Sequence, residues 1–183
     1  ALPAIVVGDT RRGLGQLAAR WRARFDIPVV AVTGSNGKTT VKEMIAAALR
    51  VHYGSEATLA TEGNFNNDIG LPLTLLRLLD SHACAVVEIG MNHSGETRDL
   101  ATVAAPTVAL INNAQREHQE FMASVADVAR EHGEVFAALQ SGGTAVINAD
   151  DEYAEYWRGM VRGDCSVRDF GIAHRLGAAV TGR

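Results

Sequence analysis

The sequence predicts an α/β protein whose mostly parallel sheet is flanked by helices. Short runs rich in β-branched residues alternate with longer helical stretches, which is the order typical of a parallel sheet covered by helices. The strand-like runs are continuously apolar rather than alternating, as expected where both faces of a sheet are covered. A glycine-rich stretch, "TGSNGKTT" at residues 33–40, separates one of these runs from the helix that follows it.

The predicted elements follow one another along the chain. The strands are Ile5–Val7, Val29–Val32, Ala57–Ala60, Ala85–Ile89, Val108–Ile111 and Thr144–Ile147. The helices are Leu14–Phe25, Lys38–Val51, Leu71–Leu79, Thr97–Ala104, Val125–Leu139 and Glu152–Val161. Ser124 and Asp127 stand three residues apart at the start of the fifth helix, close to a capping box. The tail, "VRDFGIAHRLGAAVTGR", contains strand-like pieces and then stops, so we expect sequence to be missing beyond it.

Length and composition set the class of protein. A chain of 183 residues is long enough for one α/β domain with a core, and its apolar share of 47% and charged share of 21% are ordinary for a globular protein. A net charge of −4 gives no electrostatic case for a nucleic-acid partner. The early arginines alternate with Ala and Leu along a helix and are interpreted as a solvated helix face. They are Arg11, Arg12, Arg20, Arg22 and Arg24.

Cysteine usage and hydropathy bear on location. Two cysteines, Cys84 and Cys165, provide neither a disulfide framework nor a multi-cysteine zinc site, and Cys84 lies in an apolar run where a buried thiol is expected. No apolar run approaches the length that spans a bilayer, and no stretch is typical of a signal peptide. We therefore expect a cytoplasmic protein without membrane insertion.

The glycine-rich stretch has the order of a phosphate-binding loop: strand, loop, helix. Gly34 and Gly37 allow backbone N–H groups to point inward, and the helix that begins near Lys38 presents unpaired N–H groups and the positive end of its dipole. Lys38 is placed to bridge the outer phosphates, and the Thr39 hydroxyl to ligate Mg²⁺. The spacing is G-x-x-G-K-T, with Val32 where a longer motif has its first glycine. The alternative, a glycine turn with a helix-capping threonine, explains less of this context.

Polar loops follow the next strands of the predicted sheet. "TEGNFNNDIGLP" carries Asn64, Asn66 and Asn67, which either form turns or hold an oxygen-rich ligand. Glu88 lies near the carboxyl end of a strand that should be central. Because ligands of open α/β sheets collect at that edge, we expect Glu88 to face the phosphate loop and to bind Mg²⁺ directly or through water.

Two further loops carry side chains suited to a site at the same edge. Asn92, His93 and Glu96 follow Glu88 directly, and "INNAQREHQEFM" supplies Asn112, Asn113, Glu117 and His118 after the next strand. A single histidine is usually an ordinary surface or satisfied residue. Successive strands that each end in acidic, amide and imidazole groups favour an active site instead.

Taken together, these blocks resemble the Mur ligases, the ATP-dependent amide-forming enzymes of peptidoglycan synthesis. The counterparts stand in the same order over essentially the whole chain: "TGSNGKTTVKEM", "GNFNNDIGLPLTLL", "EIGMNHSGE", "NNAQREHQEFM" and "VINADD". The second and third blocks point to the branch of the family that adds D-alanyl-D-alanine to a UDP-MurNAc-tripeptide. A folate-polyglutamylating ligase shares the phosphate loop, but "GNFNNDIG" argues against it.

The resemblance implies an enzyme of three domains. Residues 28–183 are expected to form the central ATP-binding domain, incomplete at its end, and residues 1–27 the tail of an N-terminal domain that holds the UDP end of the substrate. The C-terminal domain, which closes over the nucleotide and helps bind the incoming amine, is expected to lie outside this sequence. We therefore expect the chain alone to bind ATP poorly and to be inactive.

The resemblance also implies the reaction and its residues. The γ-phosphate of ATP passes to the terminal carboxylate of the UDP-MurNAc-tripeptide, and the amine of D-alanyl-D-alanine then displaces phosphate. Lys38, Glu88 and His118 are the implied catalytic residues; Thr39 and Glu88 attend one Mg²⁺ and His118 a second. The implied nucleotide-binding residues are Gly34, Ser35, Asn36, Gly37, Lys38, Thr39, Thr40 and Asn113. The implied substrate-binding residues are Asn64, Asn66, Asn67, Asn92 and His93.

One position departs from the family pattern. Many members carry a lysine, modified to a carbamate that supports the second metal, where this chain has His132, and its only lysines are Lys38 and Lys42. Either His132 ligates metal, or the second site is weak and water-filled with help from Glu131 or Glu134, or His132 is an ordinary helix-surface residue.

Two alternatives to a ligase stay open. The chain could be a nucleotide-binding module without turnover. A small kinase is the other alternative, but it needs an arginine-rich lid after a late strand, and "AREHGEVFAALQSGG" offers too little.

Overall fold

The structure is a computed structural model that describes residues 4–116 and 122–172, together with the backbone of residues 180–181. The strands are β1 (Val29–Thr33), β2 (Thr58–Ala60), β3 (Cys84–Glu88), β4 (Val108–Ile111), β5 (Thr144–Asn148), β6 (Ser166–Gly171) and β7 (Val180–Thr181). The α-helices are α1 (Thr10–Arg22), α2 (Lys38–Tyr53), α3 (Gly70–Leu75), α4 (Glu96–Ala104), α5 (Val125–Gly133) and α6 (Ala154–Met160). Short 3₁₀ helices occupy Ser55–Ala57 and Glu134–Ala138.

The strands form one sheet in the order β2-β3-β1-β4-β5-β6-β7, and every pair is parallel. The predicted fold class is therefore confirmed. β1 lies between β3 and β4, with Val32 opposite Glu88 and Thr33 opposite Ile111. Since all strands run the same way, the loops that follow them emerge at one edge of the sheet.

Helices cover both faces, which explains the continuously apolar strands. On one face α2 packs Ala46 against β-strand residues such as Val32 and Val86. On the other face α1 and α3–α6 cover a larger core, in which Phe136 and Trp157 are fully buried. Burial of each large apolar side chain contributes about 1.5–3 kcal/mol relative to exposure, so the core depends on both layers.

The structure corrects several predicted boundaries. Ile5–Val7 is not a strand: these residues are exposed and pair with no strand of the described part of the chain. The third helix stops at Leu75 rather than Leu79, and the fifth changes to a 3₁₀ helix after Gly133. The capping box is confirmed, since the Ser124 side chain accepts the Asp127 N–H. The tail supplies β6, whose existence the sequence indicated only as strand-like pieces.

Arg22 corrects the interpretation of the early arginines. Its side chain is buried, and its guanidinium donates to the carbonyls of Ala104 and Ala105 at the end of α4 and to those of Phe25 and Ile27. Burial lowers the pKa of Arg22, against the opposing effect of the nearby Asp26. An arginine can fill this place because its fork of donors satisfies several carbonyls at once.

Helix α1 packs against α3 and α4. The assignment of residues 1–27 to a preceding domain stays a prediction.

Within the described part of the chain, no helix combines the length and the apolar character needed to cross a bilayer.

Candidate nucleotide site

The phosphate loop joins β1 to α2 at the edge where the parallel strands end. Gly34 has φ +134° and Gly37 has φ +76°, conformations that side-chain-bearing residues rarely adopt. Gly37 stands at the N-cap of α2, and no side chain in the described residues caps the helix there. The first N–H groups of α2 and its dipole are thus presented at the loop, with the exposed Thr39 and Thr40 on its first turn.

The loop after β4 braces the phosphate loop. The Asn113 carbonyl accepts the Ser35 N–H at 3.0 Å, and the Asn113 carboxamide accepts the Asn36 N–H at 3.0 Å and donates to the Asn36 carbonyl at 3.0 Å. Asn112 Nδ2 donates to the same carbonyl at 2.6 Å. The sequence predicts that Asn113 binds nucleotide; the structure shows it bonded to the loop itself. The bracing role of Asn112 was missed, although two adjacent asparagines after a strand were visible in the sequence.

Lys38 lies at the loop. Its ammonium donates to the carbonyl of Gly34 at 2.5 Å and to that of Ser35 at 3.1 Å, and its side chain is half-buried. The cation is therefore held over the residues whose N–H groups would face an anion.

Glu88 is the last residue of β3 and is buried at the same edge, as predicted. Its Oε1 accepts Asn66 Nδ2 at 2.7 Å, and its backbone N–H donates to the Thr61 hydroxyl at 3.0 Å. Its Oε2 is buried and has no hydrogen-bond partner among the described residues. A buried carboxylate oxygen in this state is suited to a cation, because its desolvation is otherwise uncompensated.

The residues fit a Mg²⁺ ion that is held largely by phosphate and water, rather than a metal bound entirely by protein side chains. The described residues hold no cluster of three or more His, Cys, Asp or Glu side chains that could bind a metal. Mg²⁺ does not require one, since it usually takes one or two protein oxygens and completes its shell with phosphate and water. The Thr39 hydroxyl and Glu88 Oε2 are oxygens of the kind it prefers.

Lys42 is a functional candidate that sequence reasoning missed. Its side chain is fully buried, and its ammonium donates to the Thr61 carbonyl at 2.8 Å and to the Glu43 carboxylate. Thr61 in turn receives the Glu88 N–H. The signal was present, because Lys42 is four residues after Lys38 and a helix brings such positions to one face.

The asparagine loop divides into separate roles. Asn66 contacts Glu88, as described above. Asn67 Oδ1 accepts the N–H groups of Gly70 at 2.8 Å and Ile69 at 3.2 Å at the start of α3, so the turn interpretation describes Asn67. Asn64 is exposed.

The loop before α4 is shaped by Glu96. Its carboxylate accepts the N–H groups of Asn92 at 2.6 Å and His93 at 3.2 Å and contacts His93 Nδ1 at 3.0 Å. Burial of Glu96 acts to raise its pKa, but the hydrogen bonds from Asn92 and His93 outweigh it and lower the pKa below the ordinary value. Asn92 and His93 themselves are exposed.

His132 is not a helix-surface residue, so that interpretation was wrong. The imidazole is fully buried, with Nδ1 3.0 Å from the Thr33 hydroxyl and Nε2 3.4 Å from the Ser35 hydroxyl. It therefore lies beneath the phosphate loop, because α5 turns this face toward β1.

The acidic neighbours of His132 have other partners. The Glu131 carboxylate accepts the N–H groups of Gly95 and Thr97, each at 2.9 Å, at the start of α4. Glu134 pairs with Arg98 at 2.5 Å. His118, the predicted ligand of a second metal, lies outside the described residues.

A glycine loop between a central parallel strand and an uncapped helix, with a buried carboxylate at the end of the adjacent strand, defines a nucleotide-binding α/β domain of the P-loop kind. Residues 32–180 match the Mur ligase middle domain. The chain belongs to the Mur ligase family and carries that domain.

Individual relatives agree with this assignment. The UDP-N-acetylmuramoyl-tripeptide–D-alanyl-D-alanine ligase of Haemophilus influenzae is 46% identical over 159 residues, which cover 86% of this chain and 35% of the relative. A crystal structure of MurF from Acinetobacter baumannii matches with a TM-score of 0.86 and 35% identity, over 93% of this chain and 38% of that one. MurF from Thermotoga maritima in complex with ADP matches with a TM-score of 0.80 and 27% identity, over 93% and 39%. The chain thus spans about a third of the length of the relatives that it matches.

Proposed function

We propose that this chain is the nucleotide-binding part of an ATP-dependent ligase that joins D-alanyl-D-alanine to a UDP-MurNAc-tripeptide in the cytoplasm. Relatives of that name and an ADP-bound relative of the same fold support the proposal. The observation that carries it is the position of two features at the same end of the parallel strands: the uncapped N-terminus of α2, and the Glu88 carboxylate, whose Oε2 has no hydrogen-bond partner among the described residues. The relatives are longer than the part that this chain matches. The corresponding regions of the full-length protein would supply the rest of the substrate site.

The proposed chemistry proceeds in two steps. The γ-phosphoryl group of ATP passes to the terminal carboxylate of the tripeptide and ADP is released; the amine of D-alanyl-D-alanine then forms the amide and displaces inorganic phosphate. The N–H groups of the loop and of the first turn of α2 hold the phosphates, and Lys38 exchanges its carbonyl partners for phosphate oxygens. Mg²⁺, bound by Thr39 and Glu88, would neutralise charge on the transferring group.

The remaining predicted residues complete the proposal. Asn64, Asn92 and His93 are exposed and are proposed to face the muramoyl-peptide or the nucleotide. Asn113 supports the nucleotide through the loop that it braces. His118 is proposed for a second Mg²⁺. The chain alone is expected to turn over no substrate.

The test is made on the full-length protein. We expect phosphate release from ATP that requires both UDP-MurNAc-tripeptide and D-alanyl-D-alanine, and we expect Lys38→Ala to lower its rate at least about 100-fold, since a stabilising charge is removed. Arg50→Ala, which removes a positive charge from the last turn of the same helix, serves as the matched control. Phosphate release indifferent to the dipeptide, or a fully active Lys38→Ala, would refute the proposal.

A further inference from the structure

We propose that Asn66 is a positioning residue, which holds the Glu88 carboxylate so that one oxygen is left for the metal. The inference rests on the proposed function, since it assumes that Glu88 binds Mg²⁺. It assigns to Asn66 a role different from the substrate contact that the family resemblance implies.

The two oxygens of Glu88 have different surroundings. Oε1 accepts Asn66 Nδ2 at 2.7 Å, whereas Oε2 is buried without a hydrogen-bond partner among the described residues. An ionised carboxylate only accepts hydrogen bonds, so the donor end of the Asn66 carboxamide must face it. This bond fixes the rotation of the carboxylate about its last torsion and so directs Oε2.

Asn66 is itself held from both sides. Its backbone carbonyl accepts the Gly90 N–H at 2.8 Å, and its own N–H donates to the Asn64 carbonyl at 2.7 Å. A Cβ at position 90 would lie 2.9 Å from Asn66 Cγ and Oδ1, closer than real contacts. Gly90, two residues beyond Glu88, thus leaves room for the Asn66 carboxamide beside the end of β3.

The backbone of Glu88 is held independently of Asn66. Its N–H donates to the Thr61 hydroxyl, and the Thr61 carbonyl accepts the buried ammonium of Lys42. Loss of the Asn66 side chain should therefore leave β3 in place and release only the carboxylate. Residues that hydrogen-bond a metal ligand typically contribute 10–100-fold to metal affinity.

The experiment measures Mn²⁺ as a probe for Mg²⁺. Mn²⁺ binding to the full-length protein saturated with ADP is followed by electron paramagnetic resonance, which does not depend on turnover. Asn66→Ala removes the carboxamide, and Asn66→Leu removes the donor while nearly preserving volume, so one of them should fold if the other does not. Gln140→Ala, which deletes a carboxamide bonded to the Ala105 carbonyl at the opposite edge of the sheet, is the matched control. Glu88→Ala defines loss of the ligand.

We expect both Asn66 variants to bind Mn²⁺ at least about tenfold more weakly than the unaltered protein. Gln140→Ala should bind Mn²⁺ as the unaltered protein does, and Glu88→Ala should lose the Mn²⁺ affinity that the Glu88 carboxylate supplies. If Glu88→Ala loses Mn²⁺ but the Asn66 variants bind it normally, the inference is overturned and the proposed function stands. If Glu88→Ala also binds Mn²⁺ normally, the metal role in the proposed function fails, and the inference fails with it.

Discussion

Gly34 has no side chain because the space and the backbone geometry beside β4 exclude one. Its φ is +134°, and a Cβ there would lie 3.0 Å from the Asn113 nitrogen and 3.1 Å from atoms of Asn112. Those are the residues that brace the phosphate loop. A side chain at position 34 would therefore strain the backbone and also push the brace away.

Comparison of alanine replacements at Gly34 and Gly54 separates the backbone strain from the displacement of the brace. Gly54, at the end of α2, has φ +95°, but a Cβ added there would meet no atom within 4 Å, so Gly54→Ala measures the strain alone, about 1–3 kcal/mol. Gly34→Ala should lower the free energy of unfolding by about 1–3 kcal/mol more and should weaken ADP binding. Urea denaturation and calorimetric titration provide the measurements. Equal losses in the two variants would show that the brace does not constrain the loop.

Glu96 predicts a pH dependence of stability. Its pKa is lowered in the folded protein despite the opposing effect of burial, so its ionised form stabilises the fold above the unfolded pKa of about 4.5. This stability is lost as the pH falls from that value through the folded pKa. The side chain is 39% exposed, so we expect less than about 1 kcal/mol.

Melting temperatures of the unaltered chain and Glu96→Gln provide the comparison. The difference between them should be greatest above pH 4.5 and should shrink under more acidic conditions. A difference that grows with acidity has the wrong sign for this carboxylate.

At the scale of elements, α4 and α5 are joined by Glu131, a side chain of one helix that caps the other. Its two oxygens accept the N–H groups of Gly95 and Thr97, and Ser94 Oγ lies 3.4 Å from Oε2. The carboxylate also complements the helix dipole of α4. The loop that carries Asn92 and His93 is therefore anchored by α5 as well as by Glu96.

Glu131→Ala should lower the free energy of unfolding by about 1–3 kcal/mol, because it leaves the buried Thr97 N–H and the partly buried Gly95 N–H without their acceptor. Glu134→Ala is the matched control, since Glu134 pairs with the mostly exposed Arg98 and should cost about 1 kcal/mol or less. Both values come from urea denaturation. A Glu131 variant no less stable than the Glu134 variant would mean that α4 does not need this cap.

At the scale of the whole molecule, the parallel sheet concentrates the site on one edge. The phosphate loop follows β1 and Asn113 follows β4. Glu88 is the last residue of β3, and Asn66 lies in the loop that follows β2. The opposite edge has a structural use: there Arg22 satisfies the carbonyls at the end of α4. Because all the strands run in one direction, the candidate site and these structural contacts of Arg22 lie at opposite ends of the strands.

Local sequence was sufficient for much of this arrangement. Apolar runs marked strands covered on both faces, and Gly34, Gly37 and Lys38 marked the phosphate loop, because these signals depend on neighbouring residues alone. The position of Glu88 at the end of a buried strand was predicted from the sequence, whereas its role with Mg²⁺, inferred because a carboxylate there is costly without a partner, stays a prediction. Ile5–Val7 was wrong for the converse reason: strand propensity without a neighbouring strand to pair with forms no sheet.

The sequence by itself determined the fold class, the phosphate loop and the edge at which the polar side chains gather, since periodicity, glycine and strand direction are local properties. Only the tertiary structure decided which side chains meet. It placed His132 beneath the loop, Arg22 in the interior, Lys42 against Thr61 and Asn66 against Glu88. Such pairings join residues far apart in the chain, and burial, which decides the cost of each polar group, exists only once the layers have packed.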